Sequence, residues 1–313
     1  MTPARLLEAV PNFSEGQDTA VIRSIVEAML SAGAEVLDWS ADVDHNRSVV
    51  TLVGTPDDVE NAAVAGARVA VERIDLTRHR GVHPRVGALD VLPFVPLAGL
   101  TLEDARGSAR RVGRRLAEEA GIPIYFYGEA SEPPGRPLSV LRAGGFETLA
   151  VCWPADREPD LVPPGWNRAG AHPTAGVSCV GARPLLLAWN VFVAGVDIDT
   201  ARGIARSVRE SDGGFAGVRA LALQLPESGR LQISMNLENL ELTPPMAVFA
   251  HLEACLTEHG GEVEETEIIG MLPDQLVWGA AADRLRLSPD TAARLLSARL
   301  VDVMSRATDS RDA

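Results

Sequence analysis

The segment Arg78-His79-Arg80-Gly81-Val82-His83-Pro84-Arg85-Val86-Gly87-Ala88-Leu89-Asp90 places two histidines and three arginines in a loop ahead of an apolar run. Imidazole titrates nearest neutrality, so His83 among arginines and flexible glycines is suited to moving protons beside an anionic substrate. A purely structural histidine, bonding only the loop backbone, explains the residue equally well at this stage. His79 and His83 also stand at the i, i+4 spacing of a zinc helix. Gly81 and Pro84 spoil that helix and no HExxH is present, so no metal is expected.

Four further segments carry polar groups in telling places. Pro11-Asn12-Phe13-Ser14-Glu15-Gly16 follows the first strand, so Asn12 and Ser14 sit where α/β folds commonly hold ligands, or simply form a helix-entry turn. In Asp44-His45-Asn46-Arg47, Asn46 and Arg47 are suited to a carboxylate, and turn chemistry explains the same residues. Asn167-Arg168-Ala169-Gly170-Ala171-His172-Pro173-Thr174-Ala175-Gly176 is rich in small residues, which lets a flat ligand approach the backbone; a linker has the same look. Arg106, Arg110 and Arg114 form an i, i+4 stripe that reads as a solvated helix face rather than an anion site.

The elements that must position these groups alternate. Strands are expected at Leu6 to Val10, Glu35 to Asp38, Arg47 to Val53, Ala88 to Val95 and Ile124 to Tyr127, with a helix through Val21 to Met29. Thr55-Pro56-Asp57-Asp58 opens a second helix, expected to run to about Arg73. Thr55 caps free N–H groups, and Pro56 loses nothing by lacking one. Thr101-Leu102-Glu103-Asp104 is another capped start. Cys152 to Trp166 is proline-rich and aperiodic, an irregular connection near a domain boundary. Beyond it, strands are expected at Leu185 to Phe192, Val218 to Leu225 and Leu231 to Leu237, and helices at Thr200 to Arg209, Pro244 to Glu258 and Pro289 to Met304. Strand-helix alternation mixed with hairpin-like neighbours predicts an α/β protein of α+β type, with two subdomains (1–178 and 179–313), each a mixed sheet with helices on its outer face.

The 313 residues carry 29 Lys plus Arg against 43 Asp plus Glu, a formal charge of −14. That balance argues against a nucleic-acid binder, and an anionic substrate then needs a local basic pocket. Cys152, Cys179 and Cys255 are odd in number and widely spaced, which fits a reduced cytoplasm; Cys179 reads as core. No apolar run reaches membrane-spanning length and no leader pattern opens the chain, so neither a membrane partner nor export is expected.

Taken together the segments resemble the formiminotransferase region of glutamate formimidoyltransferases, which also occurs fused to a cyclodeaminase. The similar pieces are VPNFSEG at 10–16, DHNRSV at 44–49, RHRGVHPRVGALD at 78–90, YGEA at 127–130, LRAG at 141–144, GAR at 181–183 and IIGMLP at 268–273, in the family's order. The resemblance implies transfer of a formimino group from N-formimino-L-glutamate to tetrahydrofolate, free or polyglutamylated, by a bacterial monofunctional form acting in histidine breakdown. It implies a ligand tunnel between the two sheets, His83 as the catalytic residue and 167–176 as the folate-binding loop. A homodimer and a separate cyclodeaminase downstream are the expected partners.

Asn12, Ser14, Ser40, Asn46, Arg47 and Arg85 are the further substrate-binding candidates, the arginines because a guanidinium meets a carboxylate at two points. Where mammalian members read Asp-Val-Asp this chain has Asp38-Trp39-Ser40, a hydroxyl in place of a carboxylate, with Asp42 and Asp44 as alternative partners for His83. Two rivals share the folate site: another one-carbon transferase using a formyl donor, and a non-catalytic folate-binding protein.

Overall fold

The computed structural model describes residues 5–81, 84–226, 228–240, 242–271 and 274–285. His83, and the helix expected at Pro289 to Met304, lie outside the described residues.

The first sheet is built from β1 (Leu7–Ala9), β2 (Asn12–Phe13), β3 (Glu35–Asp42), β4 (Arg47–Gly54), β5 (Leu89–Pro96), β6 (Ile124–Gly128) and β7 (Ser178–Ala182). β1 and β2 are one strand course broken at Pro11, and β4 runs antiparallel beside both. Helix α1 (Thr19–Ser31) leads from β2 to β3, and α2 (Pro56–Arg73) from β4 to β5. The spatial order is β3, β4, β1 with β2, β5, β7, β6. Only the β5–β7 and β6–β7 pairings are parallel.

Local chemistry sets the helix starts. Asp18 accepts from the N–H groups of Ala20 and Val21, Thr55 from Asp58, and Thr101 forms a reciprocal capping box with Asp104 at the head of α3 (Leu102–Arg115). A single π-type turn, Leu116–Ala120, ends α3 at Gly121. Ile25, Met29, Val59, Ala63, Ala67, Ala109 and Val112 from these helices pack on Leu7, Phe13, Leu52, Leu92 and Phe94, so one face of the sheet is covered by helices. The short helices α4 (Leu138–Leu141) and α5 (Gly145–Val151) cover part of the opposite face, with Leu141 and Leu149 against Tyr125, Tyr127, Val91 and Cys179.

The second sheet holds β8 (Leu187–Ala194), β9 (Val218–Gln224), β10 (Leu231–Leu237) and β11 (Glu262–Ile269), in the order β11, β8, β10, β9. Helix α6 (Ile198–Val208) joins β8 to β9, α7 (Pro245–Glu258) joins β10 to β11, and α8 (Asp274–Leu285) follows. Here every pairing is antiparallel, where a mixed sheet was expected in both subdomains. The reason is topological: each crossover helix leaves a gap of one strand, and a strand of opposite direction fills it, giving the split βαβ arrangement. The first sheet repeats this plan with β1, β3, β4 and β5 in the order 2-3-1-4, so the two halves share a topology that no sequence repeat reveals.

The division expected after residue 178 falls inside β7, which pairs only within the first sheet; pairing passes to the second sheet between Ala182 and Leu187. The sequence gives little sign of β7, because Ser-Cys-Val-Gly-Ala has low strand propensity and is held by burial on both faces. β11 was also unexpected: four of its eight residues are glutamate, as suits an exposed edge strand.

Candidate active site

Loop 74–90 is held by three of the other segments singled out in the sequence, 11–16, 44–47 and 167–176. The Ser14 hydroxyl donates to Gly87 O at 2.7 Å, and Ser14 N donates to Ala88 O. Asn46 adopts φ +46° in the β3–β4 turn; its Oδ1 accepts from Gly16 N and its Nδ2 donates to Arg80 O, both at 2.8 Å. His79 Nε2 meets Asn46 O at 2.8 Å. A carbonyl can only accept, so Nε2 carries the proton, and burial holds the ring's pKa below its ordinary value. Gly81 is required where it stands, because a Cβ there would lie 2.5 Å from His45 O.

On the other side, Phe146 N donates to Arg85 O, and Arg85 Nη2 to Glu147 Oε1 at 2.8 Å. Asp90, 2 % exposed, accepts from Val86 N at 2.7 Å and Gly87 N at 3.2 Å and pairs with Arg142. One carboxylate thus fixes the loop's return into β5 and ties it to the Leu-Arg-Ala-Gly segment.

The 167–176 segment lies directly alongside. Leu76 N donates to Thr174 O, Ala88 N to Ala175 O and Val177 N to Val86 O. Gly176, at φ +73°, leaves no room for a Cβ against Val86 O. His172 Nδ1 accepts from Ala175 N at 3.0 Å, which makes its ring neutral and its role one of shaping the loop. Burial, then Arg168, lowers its pKa.

The remaining candidates fall as follows. Asn12 Nδ2 donates to Val10 O at 2.8 Å, closing the kink between β1 and β2. Ser40 lies on β3 opposite Val49. Asp42 takes both His45 N (2.8 Å) and His45 Nδ1 (2.7 Å), and its carboxyl is held below the usual range by these bonds and by the charges of His45 and Arg47, against burial. Arg47 is half-buried within electrostatic reach of Asp42, Asp90 and Glu267; burial and the nearby Arg142 lower its pKa. The arginine stripe is a surface face, with Arg106 and Arg110 on Glu132. Cys179 is buried in the core, and burial pushes its thiol up.

The sequence offered no sign of the polar seam between the sheets. Glu267 of the second sheet lies within electrostatic reach of Arg47 of the first, and Glu238 within reach of Arg183. Asn190 Nδ2 donates to Glu267 Oε2 at 3.0 Å, and Gln232, 1 % exposed, has a buried Oε1 without a hydrogen-bond partner. Gln232 and Asn190 point away from α6 and α7, whose core uses the alternate residues Ile233, Met235, Trp189 and Val191. Period-two alternation was the available signal, but nothing in it says what the polar face meets.

A basic, histidine-bearing loop bound to four other segments is the candidate small-molecule site on a pair of split βαβ sheets. Among the described residues, no cluster of three histidine, cysteine or acidic side chains is placed to hold a metal ion, and no helix is long and apolar enough to cross a membrane. The chain belongs to the formiminotransferase family: residues 6–183 match the formiminotransferase domain's N-terminal subdomain, and residues 188–286 match the formiminotransferase domain. It is 38 % identical over 272 residues to a glutamate formimidoyltransferase of Streptococcus pyogenes, covering 86 % of this chain and 90 % of that protein. A protein of the same name from Thermoplasma acidophilum is also 38 % identical, over 90 % of this chain and 93 % of its own length. The formimidoyltransferase-cyclodeaminase of Sus scrofa is 37 % identical over 89 % of this chain, which corresponds to 52 % of that longer protein.

Proposed function

We propose that this protein is a glutamate formimidoyltransferase, passing the formimino group of N-formimino-L-glutamate to N5 of tetrahydrofolate and releasing L-glutamate, in histidine breakdown and one-carbon metabolism. Family membership through both subdomains carries the reading, and the convergence of four segments on loop 74–90 supports it.

The chemistry needs one mobile proton. Attack of N5 on the amidine carbon forms a C–N bond and a tetrahedral adduct; N5 loses a proton, and the glutamate nitrogen gains one as its bond to that carbon breaks. His83 is assigned both transfers, on the family resemblance of its His-Pro-Arg segment. Loop 167–176 is assigned the folate, which continues into the seam where Gln232 Oε1 offers an acceptor to a ligand N–H. Arg47 and Arg85 are assigned the carboxylates of the donor. Polyglutamylated folate as the natural form, a homodimer, a cytoplasmic location and a cyclodeaminase for ammonia release complete the reading.

The test mixes purified protein with formiminoglutamate and tetrahydrofolate, acidifies, and follows methenyltetrahydrofolate absorbance. Folate binding without product would favour a binding protein, and turnover only with a formyl donor would favour the other transferase class.

A further inference from the structure

Three donor atoms converge in the helix layer of the second sheet, on the side turned away from the polar seam. His251 Nε2 on α7 lies 3.0 Å from Ser207 Oγ on α6 and 3.4 Å from Cys255 Sγ, and Sγ and Oγ are 4.0 Å apart. The i, i+4 spacing of His251 and Cys255 puts imidazole and thiol on one helix face, and α6 brings the hydroxyl to them. Ser207 is exposed and the other two are half-buried, so the group stands at the surface. Local contacts orient it. The Ser207 hydroxyl donates to Ile204 O at 2.8 Å, which leaves the lone pairs of Oγ for its neighbours. The Phe215 ring stands edge-on to the imidazole, with ring centroids 5.6 Å apart.

We propose that His251 Nε2, Cys255 Sγ and Ser207 Oγ form a site for a zinc-class divalent ion that clips α6 to α7. Metal bonds of about 2.0–2.3 Å to nitrogen, sulfur and oxygen place tetrahedral ligands about 3.3–3.6 Å from one another, a range that the three separations bracket. On binding, the metal replaces the thiol proton, which passes to solvent; Nε2 binds from the neutral ring, and the hydroxyl keeps its hydrogen on Ile204 O. Solvent water completes the coordination, so the site is open and exchangeable rather than a closed structural centre. Thiolate and imidazole select zinc-like ions over magnesium and calcium, which take oxygen ligands. The helix end decides between a metal and a nucleophilic role for the thiol. Both α7 residues stand in its last two turns, where the backbone carbonyls carry partial negative charge and the last turn holds no basic residue. That field draws a cation and works against a free thiolate, the reactive form of cysteine.

Cobalt(II) and zinc(II) salts alone are the probes. Cobalt added to the reduced full chain is expected to give a thiolate-to-cobalt charge-transfer absorption, which zinc, the tighter binder, then abolishes. Cys255→Ser is expected to lose the absorption, whereas Cys152→Ser keeps it. His251→Ala and Ser207→Ala are each expected to weaken cobalt binding about tenfold or more. Zinc is expected to raise the melting temperature of the wild type and to leave that of Cys255→Ser unchanged. Absence of the absorption with cobalt in large excess overturns the proposal, and that measurement needs no variant to fold. Absorption that survives in Cys255→Ser, or binding unchanged in His251→Ala, overturns it too. Binding unchanged in Ser207→Ala, or no rise in the wild-type melting temperature, overturns the clip between the two helices.

Discussion

Asn46 Oδ1 accepts the backbone N–H of Gly16 at 2.8 Å, which locks the loop after the first strand to the turn between the third and fourth. The same side chain holds Arg80 O and the same residue's carbonyl holds His79, so one asparagine in a left-handed conformation joins three chain segments.

Asn46→Ala removes both side-chain bonds and places an alanine at φ +46°. The expected loss is about 2–4 kcal/mol of unfolding free energy. Asn46→Gly relieves the backbone but not the bonds, so it should recover part of that loss. Urea midpoints of the three proteins check the ordering; an Asn46→Ala midpoint equal to wild type would show that the three segments are held elsewhere.

Arg142→Ala leaves the Asp90 carboxylate buried with only its two backbone donors. Removing one member of such a pair is expected to cost about 3–5 kcal/mol. Because Asp90 also fixes the loop's return into β5, turnover should fall even at temperatures where the variant remains folded. Chemical denaturation and steady-state rates measured together test this, and a stable, fully active Arg142→Ala would mean that the two N–H groups suffice.

His83→Ala is expected to lower kcat by about two to four orders of magnitude while tetrahydrofolate affinity changes little. Normal turnover would remove the assignment. Joint loss of folate binding and stability would instead mark His83 as a structural residue of the loop.

Acid should destabilise the protein earlier than carboxylates alone would make it. Burial holds both His79 and His172 below the ordinary histidine value of 6.5, so the unfolded chain binds protons that the folded one does not. Stability is therefore complete above about 6.5 and falls as pH drops below it, until the folded rings themselves protonate. Melting temperatures between pH 5 and 8 check the sign, and His79→Gln should flatten part of the slope. A melting temperature that rose on acidification would contradict the neutral assignment of both rings.

Much of this protein is written locally. Thr55, Thr101 and Asp18 determine helix starts through bonds to residues two or three places on, and the loop glycines and histidines are grouped within short segments, so caps, most strands and the five site segments are legible as sequence. What those segments do to one another is not. Asn46 and Gly16 are 30 residues apart and Ser14 and Gly87 are 73 apart, and each pairing depends on which strand fills the gap left by a crossover helix. Sheet order decides that, and hydrophobic alternation is the same for either neighbour. For the same reason β7 and β11 escape a local reading, the second sheet is antiparallel despite its strand-helix alternation, and the seam where Arg47 comes within reach of Glu267 forms only when the two sheets come together. Residue chemistry is a property of the chain, whereas His79 and Arg85 come to line one cavity through packing alone.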